Sequence, residues 1–150
     1  LTQSFNIRDK GRFQYNLKAG QFFNADNIAF MDYHHFNGNQ THFGEGSYLD
    51  VFNNLPYYSM STNKSYVELH AEHDFNGFLL GKIPLINKLN FNLIAGAHFL
   101  STPDNKPYQE YTIGIDNIGW GKFRFLRIDY LRSYQSGFQS DAIIFGLKFF

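Results

Sequence analysis

Cysteine is absent from the 150 residues, which excludes disulfides and thiolate metal sites. No apolar run reaches roughly eighteen residues, so no helix is expected to cross a membrane. Charge is scarce, at 17% of residues, and it cancels, with 13 basic against 13 acidic side chains. A nucleic-acid partner would gain no electrostatic attraction from such a chain. Helical periodicity is missing too, except in "FLLGKIPLINKLN" (78–90). Pro84 interrupts that segment, which reads as a turn or a short kinked helix lying at an interface. The chain opens on Leu1 with no signal peptide before it, and reads as a piece of something longer or as a processed product.

What the chain has instead is aromatic side chains: 18 Phe and 10 Tyr, with Trp120 as the single tryptophan. Alternation of period two recurs between turn residues. "YVELHAEHDF" (66–75) is the clearest case. Val67, Leu69, Ala71 and Phe75 share one parity, and Glu68, His70, Glu72 and Asp74 share the other. The same test predicts strands at about 1–8, 12–23, 65–78, 89–101, 108–117, 122–134 and 141–150, with a long loop at 24–64. In "KFRFLRIDYLRSY" (122–134) the phase slips from Phe123 and Phe125 to Leu126, Ile128 and Tyr130, which predicts a β-bulge near Phe125.

Seven segments of about this length suit strands that cross a bilayer at a tilt. The fold class expected is all-β: an antiparallel meander of about seven strands, forming the C-terminal part of a transmembrane outer-membrane β-barrel. Such barrels have short periplasmic turns and longer extracellular loops. Counting back from the C-terminus puts the turns at 9–11, 79–88 and 118–121 in the periplasm. Loop 24–64 and the connections at 102–107 and 135–140 are then extracellular. In that register Trp120, Phe123, Phe13, Phe75 and Phe149 form one aromatic belt, and Tyr66, Phe99, Tyr108, Phe23 and Tyr134 form the other. An odd strand count demands further strands upstream. The alternative makes "YLDVFNNLPYY" (48–58) an eighth strand and the chain a complete small barrel. It would leave a long periplasmic loop and put Pro56 in a ladder.

The polar parity defines the candidate site. Lys18, Glu68, His70, Glu72, Asp74, Glu110, Asp116, Arg127 and Lys148 would line the lumen, and mostly acidic groups there would favour cations. The competing reading of Glu68, His70, Glu72 and Asp74 is a cation-binding or acid–base set. His73 has the opposite parity and would face the lipid interface. No Gly-x-Ser-x-Gly or equivalent accompanies it, so no catalytic residue and no enzyme activity is expected. In the loop, His34, His35 and His42 lie beside Asp32 and Glu45. Their spacing fits no standard metal motif, and hydrogen-bonded histidines in a packed aromatic loop are expected, without a metal or other cofactor. Phe30, Tyr33, Phe36 and Phe43 would anchor that loop, and Gly38 would turn its tip at positive φ.

Several phrases carry a resemblance: "DYHHFNGNQT" (32–41), "YYSMSTNKSYVELHAEHDFNGFLLGKIPL" (57–85), "STPDNKPY" (101–108) and "FLRIDYLRSY" (125–134). Together they resemble the C-terminal end of an outer-membrane family of unknown function. Its members carry a carboxypeptidase-regulatory-like domain ahead of a β-barrel. The chain is also distantly similar to the barrels of BamA and the two-partner secretion transporters. In those, a long extracellular loop folds into the lumen and five strands follow. Within the loop motif His34, His35, Phe36, Asn37, Gly38 and Asn39, the nearest match to their Arg-Gly-aromatic loop tip is Phe36-Asn37-Gly38-Asn39, which has no Arg. The Asp that pairs with that tip is also missing, since strand 89–101 has Ile94 and no Asp.

Three functions are therefore expected to compete. One is polypeptide insertion or translocation with loop 24–64 as a lumen lid, the second a solute channel or receptor barrel, and the third a soluble β-domain that binds a partner. The first two imply a Gram-negative outer membrane. Their partners would be the lipid bilayer, upstream strands of the same protein and other envelope proteins.

Overall fold

Period-two alternation bounded by Gly, Asn and Pro carries most of the chain into one sheet. The computed structural model describes residues 1–45 and 48–147. Lys148, Phe149 and Phe150 lie outside the described residues, as does the Glu45 side chain. The strands are β1 (Thr2–Asn6), β2 (Arg12–Gln21), β3 (Phe43–Glu45), β4 (Ser65–Asp74), β5 (Asn92–Thr102), β6 (Asn105–Trp120), β7 (Phe123–Gln135) and β8 (Phe138–Leu147). Their order is β1-β2-β4-β5-β6-β7-β8-β3. Seven strands form an antiparallel meander, and β3 joins the far end in parallel with β8. Among the described residues the sheet does not close on itself: β1 has only β2 beside it.

The eighth strand is not where the alternative reading put it. Residues 48–58 form no strand. Instead Phe52 makes a single parallel bridge to Gly38, and Phe52 and Leu55 sink into a buried cluster. Burying those apolar groups outweighs any edge pairing that Pro56 would have interrupted. The strand is Phe43–Glu45, too short to reveal itself by alternation. The connections at 102–107 and 135–140 are also tighter than expected. Thr102 pairs with Asn105 across Pro103-Asp104, and Tyr134 pairs with Phe138 around a turn where Ser136 and Gly137 have positive φ. The 78–90 segment holds two short 3-10 turns, Leu80–Lys82 and Ile86–Leu89.

Bulges set the phase. Between Ile118↔Leu126 and Trp120↔Phe123, β7 carries one extra residue, where the slip near Phe125 was expected. Between Ile115↔Ile128 and Ile118↔Leu126 the extra residue lies on β6, with Asn117 at φ +62°. An Asn side chain tolerates that left-handed backbone better than most.

The two faces are inverted relative to a water-soluble domain. One face is buried and rich in ionisable groups: Glu68, His70, His98, Glu110, Asp116, Arg127, Asp129 and Ser133 are nearly inaccessible, interspersed with Ile94, Leu100, Leu131 and Ile144. The other is exposed and apolar, with Ile113 at 51%, Ile143 at 50% and Phe145 at 47% exposure. The sheet curls around its polar face. β4 and β7 are three strand spacings apart, about 14 Å on a flat sheet. Yet Arg127 Nη2 lies 2.8 Å from Glu72 Oε2. Gly114 lets this happen, since a Cβ there would collide with the Asp129 carboxylate.

Residues 22–64 cover the polar face. Phe36, Phe52, Leu55 and Met60 of this loop bury against Leu100 and Tyr108 of the sheet, with Tyr66 alongside. Tyr66 and Tyr108 therefore leave the expected belt: their parity is that of Glu68 and Glu110, and they face the loop. Gly38 also differs from expectation. Its φ is not positive; its need for no side chain comes from the Leu55 carbonyl, which a Cβ would strike.

Candidate functional site: the polar face beneath the loop

Glu110 is the centre of the docking surface. Its parity aims it inward from β6, where it is fully buried. Oε2 accepts the Asn53 N–H at 2.9 Å, and Oε1 accepts the Asn54 N–H and the Tyr108 hydroxyl, each at 2.7 Å. Three donors converge on this carboxylate from a turn of the loop and the neighbouring side chain. The same turn is held again by the Asn54 amide, which donates to Ser133 Oγ at 2.8 Å and Ser140 Oγ at 2.6 Å.

Phe52, just before this turn, is fully buried over His70, Tyr108 and His98, with ring centroids 4.5, 5.9 and 6.3 Å away. Beneath it runs a polar chain. His70 Nε2 meets Glu68 Oε1 at 2.7 Å, and His70 Nδ1 meets His98 Nδ1 at 2.8 Å. For the Nδ1–Nδ1 contact to be a hydrogen bond, one of these two ring nitrogens must carry the proton and the other accept it. Lys18 of β2 bridges Glu68, at 3.5 Å, to Asp50 of the loop. Asn16 donates to the Leu49 carbonyl at 3.0 Å.

A second ionic group lies towards the other end of the strands. Arg127 holds Glu72 and, through Nε, Asp129 Oδ2 at 2.7 Å. Its guanidinium lies over the Tyr48 ring, 3.7 Å from the centroid. Burial pushes the Tyr48 phenol up to about 12, because the phenolate would lose its hydration. Its hydroxyl and Asp129 Oδ1 have no hydrogen-bond partner among the described residues. Tyr48 sits where any side chain on Gly44 or Gly146 would have been, so those two glycines make its seat.

Of the residues expected to line the lumen, Lys18, Glu68, His70, Glu72, Glu110, Asp116 and Arg127 share the covered face. Asp74 lies at the strand end and accepts the Asn76 N–H at 2.7 Å. The set does not converge on one catalytic point; it spreads from β2 to β7. The loop motif is dispersed as well. His34 stacks on Tyr66 at 4.0 Å and 6°, and burial holds its pKa below the ordinary imidazole value. His35 Nδ1 meets Ser61 Oγ at 2.7 Å, while His42 Nδ1 reaches the Ile143 carbonyl at 3.1 Å. Phe36 enters the buried cluster, and the Asn37 amide donates to the Asp50 carbonyl at 3.1 Å. Asn39 Oδ1 accepts the Thr41 N–H at 2.8 Å. No three His, Asp or Glu side chains among the described residues gather at metal-binding distance. His73 lies on the outward parity, its Nε2 3.1 Å from the Lys10 carbonyl.

Sequence parity alone could have added His98 and Asp129, which share the phase of Leu100 and Arg127. Asp50, Phe52 and Asn54 carried no periodic signal, because a loop has none. The model of the C-terminal domain of a family of unknown function (DUF5686) matches residues 1–115. The chain belongs to that family. The DUF5686 match ends inside β6, and β7 and β8 continue the same sheet beyond it. No curated protein and no solved structure matches the chain.

Proposed function

We propose that this chain is the C-terminal wall of a transmembrane β-barrel in the Gram-negative outer membrane. In this reading residues 22–64 plug the lumen, and the protein passes or inserts polypeptide when the plug leaves. The observation that carries it is the inversion of faces: ionisable groups buried in hydrogen bonds on one side, and Ile, Leu, Phe and Tyr bare on the other. Water would penalise that exposed band, whereas hydrocarbon would solvate it. Trp120 and Phe123 at one end of the sheet, and Tyr111, Tyr134 and Phe138 at the other, suit the two interfaces. The resemblance of "YYSMSTNKSYVELHAEHDF" to an outer-membrane family favours the same location. The open ends of the sheet fit upstream strands of the same protein as neighbours.

The β8 edge favours a polypeptide over a small solute. Among the described residues, the short parallel β3 covers Phe145–Leu147 of it. Displacing β3 would bare unpaired N–H and C=O groups that can template an incoming strand. The solute-channel reading stays as the alternative, favoured by the acidic lining. The test uses the full-length protein in planar bilayers. Single-channel conductance should be low in the wild type and rise when Glu110→Gln loosens the plug. A cross-link between cysteines at positions 54 and 133 should hold it shut. High conductance with the plug locked would refute the lid. Cysteine-attached spin labels at Ile113 and Phe145 should collide with oxygen and not with a water-soluble nickel chelate. The opposite pattern would refute the membrane.

A further inference from the structure

A second concavity lies on the outward face, away from the plug. This groove of about 520 Å³ is lined by Lys106, Pro107, Gln109, Tyr111, Tyr134 and Ser136. Gln109 and Tyr111 have the outward parity of Ile113, so the groove opens on the apolar side of the sheet. A bulge puts a cation into it. Leu100 pairs with Tyr108 and Thr102 with Asn105, so β6 carries one extra residue at Lys106-Pro107. A bulge re-aims a side chain, and Pro tolerates the lost ladder bond. The Lys106 carbonyl is satisfied from elsewhere, by the Gln135 amide at 3.1 Å.

The neighbouring cations are already matched: Arg132 pairs with Asp141 and Lys64 with Asp104. Lys106 makes no ion pair among the described residues. Beside it the Tyr111 hydroxyl donates to Gln109 Oε1 at 3.0 Å, and the Tyr111 and Tyr134 rings meet edge to face at 6.0 Å. At the next outward position along β6, Ile113 begins an apolar row that crosses the sheet through Tyr130 of β7 to Ile143 of β8. A cationic, hydrogen-bonding cup above an apolar track suits an amphiphile with an anionic head.

We propose that this groove binds the headgroup phosphate of a membrane lipid, with Lys106 as counter-ion and the Ile113–Tyr130–Ile143 row as the seat of its acyl chain. The site rests on the membrane reading given above. A phosphate-bearing lipid supplies both the charge that Lys106 lacks and the chain that the row accommodates. Gln109 and the Ser136 hydroxyl add donors at the rim, and Tyr134 closes one side.

The test reconstitutes the full-length protein carrying Ile113→Trp, with Trp120 and every tryptophan upstream of Leu1 replaced by Phe, so that one reporter sits on the row and outside the groove. Quenching by brominated acyl chains is compared for a minor fraction of phosphatidylglycerol and the same fraction of a zwitterionic lipid. One lysine beside an anionic head should enrich the anionic lipid about fivefold. Lys106→Gln should remove that excess and leave the basal quenching. Inorganic phosphate at millimolar concentration should not compete it away; if it does, the groove is a free-anion site and the lipid proposal fails. Equal quenching by both lipids overturns the site while the membrane reading stands. An excess that survives Lys106→Gln also overturns it. No quenching by either lipid overturns the membrane reading, and the site with it.

Discussion

Glu110→Gln isolates the energy of the covering loop's main anchor. The substitution keeps the volume and replaces one acceptor oxygen by an NH₂ group. If the nitrogen takes the Oε2 position, the Asn53 N–H faces a donor. If it takes the Oε1 position, the Asn54 N–H does, while the Tyr108 hydroxyl can rotate and accept. Either way one buried loop amide loses its partner. A lost charge-assisted bond costs about 1.5–3 kcal/mol, and an unpaired buried N–H about 1–3 more, with partial overlap between them. A net cost of about 2–4 kcal/mol raises the undocked population about 30- to 800-fold, at about 1.4 kcal/mol per decade. Amide hydrogen exchange of the full-length protein reads this directly. Asn53 and Asn54 should exchange faster by that factor, while amides in the β5–β6 ladder keep their protection. Exchange at Asn53 and Asn54 within about threefold of wild type, against the roughly 30-fold minimum derived from the lost bond, would refute the anchor.

Three further outcomes follow from the same geometry. Arg127→Leu leaves the Glu72 and Asp129 carboxylates buried without a counter-ion and should cost about 3–5 kcal/mol in urea unfolding, most of it recovered when both carboxylates also become Leu. Tyr48→Phe removes a buried hydroxyl that has no partner among the described residues, so the same measurement should show a change near zero or a gain of up to about 1 kcal/mol. Docked His34 resists protonation more than a released loop does, so its contribution is complete above the ordinary imidazole value of about 6.5 and is lost as pH falls below it. Protease cleavage in the loop should therefore quicken on acidification, and His34→Gln should flatten that dependence.

The sheet was legible because its strands alternate. In 66–75 the apolar and acidic parities separate cleanly, and the structure puts Glu68 and His70 on the covered side. The bulge near Phe125 was legible for the same reason, as a break in phase. Its partner at Asp116-Asn117 was not, because Ile115 and Ile118 leave the parity ambiguous there. β3 escaped because three residues cannot show a period, and what holds them is Phe145–Leu147, about a hundred positions away in sequence. The polar lining could be read one strand at a time. Its use as a dock could not, since Phe52 and the Asn53 and Asn54 amides meet Glu110 only through a loop closure without local code.

The route of the loop has a mechanical consequence. It leaves from β2, returns into β4, and between these neighbours crosses to the opposite rim of the sheet, where β3 ties onto β8. The covering segment is thus strung across the curl like a bowstring, fastened at one tip on β8 and, near the other, one strand in from β1. Flattening the sheet must first snap that string, and cutting the string removes what keeps the bow bent. Undocking of the loop and flattening of the sheet should consequently be one motion rather than two.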